Sequence, residues 1–193
     1  MSRVALTLAL FLGFAVAAGV VRAADEPQVS RAVAKTLKEA NDALQAKNFA
    51  VVIAKTREAA AISPRTAYDD YIIHYMQMPA FAAQGNYAET ANAIEAIIDS
   101  QYLPANMKPQ LLRTLMSIDY QQKDYDKAIS YGQRALAAGD LSSDTPLIIA
   151  QAYYLTGKYK DALTGMEAIV ARDEQAGRKP AEKSLNLVWS CAL

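Results

Sequence analysis

The side chains best suited to acid–base, nucleophilic or metal chemistry are few in this chain. It has one histidine, His74, and one cysteine, Cys191. Asp70 lies four residues before His74 on the same face of a helix, but a stable metal site needs three or four ligands. No acid or histidine lies close to Cys191 in the sequence to activate its thiol. The sequence therefore predicts no catalytic residue, no metal site and no cofactor, and we expect His74 to pack or to form a local hydrogen bond.

The amino-acid composition excludes several further classes of protein. Of 193 residues, 52% are hydrophobic and 21% are charged, and the formal net charge is zero. A chain this apolar and this balanced is not disordered, and a nucleic-acid partner would require an excess of Lys and Arg. The glycines form neither GxGxxG nor GxxxxGK[ST], which bind phosphates. We therefore expect neither a nucleic acid nor a small-molecule substrate as partner, and an enzyme is not predicted.

The N-terminal segment is predicted to direct export. A positively charged start precedes an apolar stretch over residues 4–21, and Val21-Arg22-Ala23 fits the small-residue site of signal peptidase. The prediction is a signal peptide over residues 1–23, a short linker over residues 24–32 and a bacterial periplasmic location. The alternative is an uncleaved membrane anchor, because 18 residues are borderline for a span and Arg22 could stop transfer. Any membrane contact would then be through this segment.

The rest of the chain is a repeat. Aromatic residues that each begin an apolar segment of helical spacing recur at separations of 38, 38 and 34 residues: Phe49, Tyr87, Tyr125 and Tyr159. Another segment of helical spacing precedes each of them, and breakers such as Ser63-Pro64 separate the units. A fixed period in this range indicates stacked supersecondary units. We predict four helix pairs over residues 33–176 and an extra C-terminal helix over residues 180–193.

These residues resemble the tetratricopeptide repeat (TPR) family. The fourth unit matches the family pattern best, with Ala150, Tyr153, Gly157, Tyr159 and Ala162, and the second unit matches least. As a whole the chain is similar to exported bacterial TPR proteins. The resemblance implies an all-α fold, a right-handed α-solenoid of antiparallel helix pairs. It also implies a non-catalytic scaffold or adaptor in the bacterial envelope that holds a peptide or protein segment.

In this family the first helix of each unit lines a concave groove. Carried onto this sequence, the resemblance gives the following candidate peptide-binding residues: Leu37, Asn41, Leu44, Tyr75, Arg113, Ser117, Tyr120, Leu147, Gln151 and Tyr154. Amides would pair with a peptide backbone and tyrosines would take its side chains, although Asn41 could equally be a solvated surface residue. Some family members clamp a C-terminal carboxylate with five Lys, Asn and Arg side chains. Only Asn41 survives of those five, so we expect no such clamp.

Two further features bear on the interaction surface. Pro79 falls in the middle of a predicted helix, where it either kinks or ends the helix or provides a bend that opens the groove. Solenoid ends normally carry a polar face. The C-terminal helix differs, because it would expose the apolar side chains of Trp189 and Leu193. Such a helix belongs to a truncated array, caps the fourth unit or docks on another subunit. The alternative function is therefore a structural subunit of an envelope assembly or secretion complex.

Overall fold

The computed structural model describes residues 27–192, and in that range it is all-helical. Nine helices follow one another, as listed here with their bounds: α1 Arg31–Gln45, α2 Phe49–Ala61, α3 Ala67–Ala83, α4 Tyr87–Ile97, α5 Lys108–Gln121, α6 Tyr125–Ala137, α7 Asp144–Leu155, α8 Tyr159–Gln175 and α9 Glu182–Ala192. The first eight form four antiparallel pairs, which we call units one to four, and α9 packs on α8. The prediction of an all-α stack of helix pairs is confirmed.

The turn inside each unit has the same geometry four times. One residue of each turn takes a left-handed backbone conformation, with φ between 56° and 74°. The N–H of the residue after it donates to the carbonyl oxygen of the residue five positions earlier in the chain, with N–O distances of 2.8–3.0 Å. The four left-handed residues are Lys47, Gly85, Lys123 and Gly157. These turns close each first helix and start each second helix, with Asn48, Asn86 and Asp124 as side-chain N-caps. A turn repeated at this spacing sets the period of the stack.

The apolar core runs from unit to unit. Helix α5 buries one face completely, with Leu112, Leu115 and Met116 at 0% exposure, and each such side chain stabilises the fold by roughly 2 kcal/mol. Small residues set the closest approaches: a Cβ on Gly132 of α6 would lie 2.6 Å from Cγ1 of Ile149 on α7. Successive units therefore share core, as expected where one pair cannot bury its own apolar face.

The contact between units two and three differs from the other unit boundaries. Helix α1 touches α3 and α5 touches α7, whereas α3 and α5, both fully described, make no such contact. Tyr102, in the connection from α4 to α5, packs against α3. The centre of its ring lies 5.0 Å from that of Tyr68 and 5.7 Å from that of Tyr71. Side chains of α3, α4 and α5 nevertheless share one buried cluster at this boundary, and Tyr102 packs against it.

Some predicted boundaries and features look different in the structure. Helix α1 begins at Arg31, inside the predicted linker, and α3 continues through Pro79 to Ala83. Pro79 therefore does not end the helix, and whether it opens a groove stays a prediction. The predicted signal peptide lies outside the described residues, as do Leu193 and the side chain of Cys191. Between residues 27 and 192, none of the helices combines the length and the apolar character that crossing a lipid bilayer would take.

Candidate functional site

The candidate binding residues lie on the first helices of the units, and the structure does not bring them all together. Leu37 and Leu147 are only 3% and 7% exposed. Leu37 packs in the core of unit one, so it is not available to a bound segment, and we remove it from the predicted groove. Leu147 packs in the core of unit four and also lines a cavity of about 580 Å³ with Asp144 and Arg172. The other eight are half-buried or exposed.

Tyr120, Gln151 and Tyr154 form the most compact group. The hydroxyl of Tyr120 on α5 donates to Oε1 of Gln151 on α7 at 3.5 Å, the long limit of a hydrogen bond. Tyr154 lies three residues, about one helical turn, beyond Gln151 and so shares its face of α7. All three are half-buried. We call this group the Tyr120–Gln151–Tyr154 site.

The two tyrosines of this site are held by the same packing arrangement in two units. The ring of Tyr120 meets Tyr125 edge-on at 5.5 Å, and the ring of Tyr154 meets Tyr159 edge-on at 5.3 Å. Edge-to-face pairs at this distance add about 1 kcal/mol beyond the area that they bury. Burial raises the pKa of Tyr120, helped by the nearby Tyr125, so its hydroxyl keeps its proton and remains a hydrogen-bond donor. The rings are thus fixed in place, which lowers the entropy cost of binding against them.

Arg113, also on the predicted list, is engaged in the stack itself. Its guanidinium lies 2.9 Å from Asp140, which follows α6, and the side chain of Asp140 is only 5% exposed. Thr145, at 0% exposure, donates its hydroxyl to the same carboxylate. The hydroxyl of Ser117 donates to the carbonyl of Arg113 at 3.0 Å. Arg113 and Ser117 therefore border the Tyr120–Gln151–Tyr154 site with their polar groups already partnered.

Tyr75 belongs to a different group. Its ring lies 5.8 Å from that of Tyr71, in the aromatic cluster between units two and three. Tyr68 and Tyr102 complete this cluster, and the candidate list missed both. The spacing of Tyr68, Tyr71 and Tyr75 on one side of α3 was a usable signal, whereas nothing in the sequence marks Tyr102.

The candidates on α1 lie apart from these groups. Asn41 is exposed, and Leu44 is half-buried against a cluster that contains Phe81 and Val52. The structure does not bring either next to the Tyr120–Gln151–Tyr154 site, because α3 and the aromatic cluster lie between them. Neither residue has a described contact that favours binding over solvation.

Two cavities lie away from the Tyr120–Gln151–Tyr154 site, and none of its three residues lines them. A polar cavity of about 550 Å³ is lined by His74, Asp70, Arg65 and Tyr102, with Arg65 Nε 2.7 Å from the Asp70 carboxylate. His74 is half-buried at the wall of this cavity. Within residues 27–192 no group of three or more His, Cys, Asp or Glu side chains is placed to hold a metal ion.

The second cavity is apolar and occupies about 380 Å³ between α6, α7 and α8. Leu136, Ile149 and Tyr153 line it, together with small residues of α8. Its polar groups are engaged, since Gln133 donates to the hydroxyl of Tyr153 at 2.8 Å.

At the far end of the stack, α9 presents aromatic surface. Trp189 is 72% exposed and Leu185 is 37% exposed, while Val188 packs on the core of unit four. Trp189 and Leu185, four residues apart on one face of α9, expose apolar surface together. The prediction that this helix exposes Trp189 is confirmed; the predicted exposure of Leu193 lies outside the described residues.

In comparisons with known proteins, the chain is similar only to solved structures, and the similarity is one of fold. No family model matches the chain, and no curated protein does. Solved structures similar to it include PilF of Pseudomonas aeruginosa, at 17% identity and a TM-score of 0.45 over 83% of each chain. MamA of MSR-1 is 14% identical, with a TM-score of 0.47 over 82% of this chain and 91% of that one. A thermophilic TPR protein of Thermus thermophilus is 14% identical, with a TM-score of 0.31 over 83% of this chain and 97% of that one. The four equivalent turns and helix pairs of the chain itself make its fold TPR-like.

Proposed function

We propose that the protein is a non-catalytic scaffold that binds a peptide or protein segment along α5 and α7. The observation that carries this proposal is the Tyr120–Gln151–Tyr154 site, with two rings in the same packing arrangement and an amide between them. Stacked helix pairs generate extended binding surfaces, and aromatic side chains with few rotatable bonds contribute most to such interfaces. Both properties support binding without catalysis.

The test is crosslinking and affinity capture from the native envelope with wild type and with Tyr120→Ala/Tyr154→Ala. We expect a partner that wild type recovers and the double variant loses. Tyr120→Phe/Tyr154→Phe keeps both rings and their edge-on contacts and should retain the partner. Gln133→Ala/Leu136→Ala, at the apolar cavity of α6 to α8, is the matched control on the other surface. Equal recovery by wild type and by the Tyr120→Ala/Tyr154→Ala variant would contradict the proposal.

We propose that this scaffold acts in the bacterial periplasm after removal of residues 1–23. The support is the sequence of that segment: a basic start, an apolar stretch and a small-residue site before Ala24. N-terminal sequencing of the protein from fractionated cells should find Ala24 first, in the periplasmic fraction. A protein that begins at Met1 and stays with the cytosol would overturn this assignment, and one retained in the inner membrane would indicate an uncleaved anchor.

A second candidate function is that of a structural subunit of an envelope assembly that docks through α9. The observation in its favour is the exposure of Trp189, which lies on the opposite end of the stack from α1. Under this alternative, Trp189→Ala removes the protein from a large assembly on a sizing column, while Tyr120→Ala/Tyr154→Ala leaves it there. The reverse result favours the site on α5 and α7.

A further inference from the structure

Beyond their first turns, which contain Asp69, Asp70, Lys108 and Asp144, the first helices of units two to four carry almost no charge. Helix α3 has no Asp, Glu, Lys or Arg over residues 71–83, and α7 has none over residues 145–155. Between residues 109 and 121, α5 has two charged side chains, Arg113 and Asp119. This run of neutral surface extends across three successive units, so it is a property of a face and not of one helix.

Beyond Lys108 at its first position, the two charges on α5 are either paired or buried. Arg113 is paired with the buried carboxylate of Asp140 at 2.9 Å. Asp119 is only 6% exposed, and its Oδ2 is fully buried. What remains at the surface of α5 and α7 is hydroxyl, amide, aliphatic and aromatic. The residues concerned are Gln110, Thr114, Ser117, Tyr120, Ile148 and Gln151, with Tyr154 beside them.

The second helices have the opposite character. Charged residues are spread along α4, α6 and α8, as listed here: Glu89, Glu95, Asp126, Lys127, Arg134, Lys160, Asp161, Glu167, Arg172, Asp173 and Glu174. Helix α1 is also charged, with Lys38 and Asp42 paired at 2.7 Å on its surface. Charged residues are therefore common on the other helices, and their scarcity is specific to the face formed by α3, α5 and α7.

The chemistry of this face determines what it can bind. A charged side chain that is desolvated against it would find no opposite charge, and burying an unpaired charge is costly. In contrast, tyrosine rings favour apolar and aromatic groups. Tyr120 contacts the side-chain oxygen of Gln151, and among the described residues no hydrogen bond engages Nε2 of Gln151. That amide nitrogen is free to donate to a backbone carbonyl.

We propose that the face of α5 and α7, continued by α3, binds an uncharged polypeptide segment. Its apolar or aromatic side chains pack on Tyr120 and Tyr154, and one of its backbone carbonyls accepts a hydrogen bond from Nε2 of Gln151. This proposal rests on the proposed function and adds the class of segment to it. It also implies that binding depends little on ionic strength, because no ion pairs form.

The test is selection of short random peptides, displayed on phage, on the purified protein. Peptides are counted as site-dependent when they bind wild type and Tyr120→Phe/Tyr154→Phe but not Tyr120→Ala/Tyr154→Ala. Thermal unfolding of each variant shows that it is folded. We expect site-dependent peptides to be depleted of Asp, Glu, Lys and Arg and enriched in apolar and aromatic residues. Their dissociation constants should change less than about twofold over a tenfold range of salt.

Gln151→Glu supplies an independent readout, because it places a charge on the neutral face and removes the Nε2 donor. We expect it to weaken the selected neutral peptides at least about tenfold, while Gln133→Glu, on α6, leaves them unchanged. Site-dependent peptides rich in charge would overturn the neutral-segment inference and leave the scaffold function intact. If no selected peptide depends on the two tyrosines, the proposed function fails, and this inference fails with it.

Discussion

Asp119 is a buried carboxylate that the fold leaves incompletely satisfied. Its side chain is 6% exposed, and Oδ2 has no hydrogen-bond partner in the described part of the chain. Burial raises the pKa of Asp119, and the negative charges of Asp124 and Glu95 add to this, while Lys127 opposes it. Because the folded-state pKa lies above the unfolded value, the charged form destabilises the fold at neutral pH.

We therefore predict that Asp119→Asn increases the free energy of unfolding at pH 7 by about 1 kcal/mol. The gain should shrink as the pH falls through the raised pKa toward 3.8, because the wild-type carboxyl then takes up its proton and the penalty disappears. Urea unfolding of both proteins at pH 7 and pH 4 measures this difference. A gain of the same size at both pH values would show that charge burial is not its cause.

At the scale of elements, Asp69 joins the starts of two helices. Its Oδ2 accepts the N–H of Thr66 at 2.8 Å in the capping box of α3, and its Oδ1 accepts the N–H of Ser30, the residue before α1, also at 2.8 Å. Desolvation raises the pKa of Asp69, but these hydrogen bonds outweigh it, so the pKa lies below its usual value. The carboxylate thus ties unit one to unit two.

We predict that Asp69→Ala lowers the free energy of unfolding at pH 7 by about 2 kcal/mol, because two backbone N–H groups lose a charged acceptor that is itself buried. The stabilisation from Asp69 is fully present above pH 3.8 and is lost as the pH falls through the lowered folded-state pKa. The matched control is Asn86→Ala, an exposed N-cap on α4, which should cost under about 1 kcal/mol. Equal losses in urea titrations would argue against a role for Asp69 between units.

Gly132 and Gly165 both lie in second helices, but only Gly132 is tightly packed against its neighbours. A Cβ at Gly132 would lie 2.6 Å from Ile149 and 2.9 Å from Met116, whereas at Gly165 the nearest atom is Cβ of Ala150 at 3.3 Å. We predict that Gly132→Ala destabilises the protein by about 1–2 kcal/mol, because overpacking exceeds the gain in helix propensity. Gly165→Ala should leave the melting temperature unchanged or raise it. The same melting temperature for both variants would contradict this distinction.

For the whole molecule, the helices could be predicted from the sequence because their signals are local. The aromatic residues at fixed separations mark the second helices, and the apolar spacing before them marks the first. The site could be predicted only in part, because it depends on contacts between units. Leu147 is buried by unit packing, and the partner of Arg113 is Asp140, which lies 27 residues away. No spacing rule reveals that Tyr102 fills the interval between α3 and α5.

The boundary between units two and three also determines how the whole stack unfolds. Stability in such a stack is a sum of unit and interface contributions. Within the described residues the backbones of α3 and α5 do not approach each other closely, although their side chains share a buried cluster with those of α4. Tyr102 adds aromatic packing there. Across the same boundary, Asp99 binds Arg134 and Lys108 at 2.9 Å and 2.8 Å, but these are exposed ion pairs, which contribute little.

We therefore predict that Tyr102→Ala uncouples the two halves of the stack, because truncating this half-buried ring removes about 2 kcal/mol from the boundary at which successive first helices do not approach each other closely. In native-state hydrogen exchange, wild type should show one free energy of opening for α1–α4 and α5–α8, and the variant should show two. Tyr87→Ala, at a 52% exposed ring that begins α4, removes the same side chain away from the boundary and should leave one. If Tyr102→Ala lowers both halves equally, the stack unfolds as one unit and this boundary is no weaker than the others.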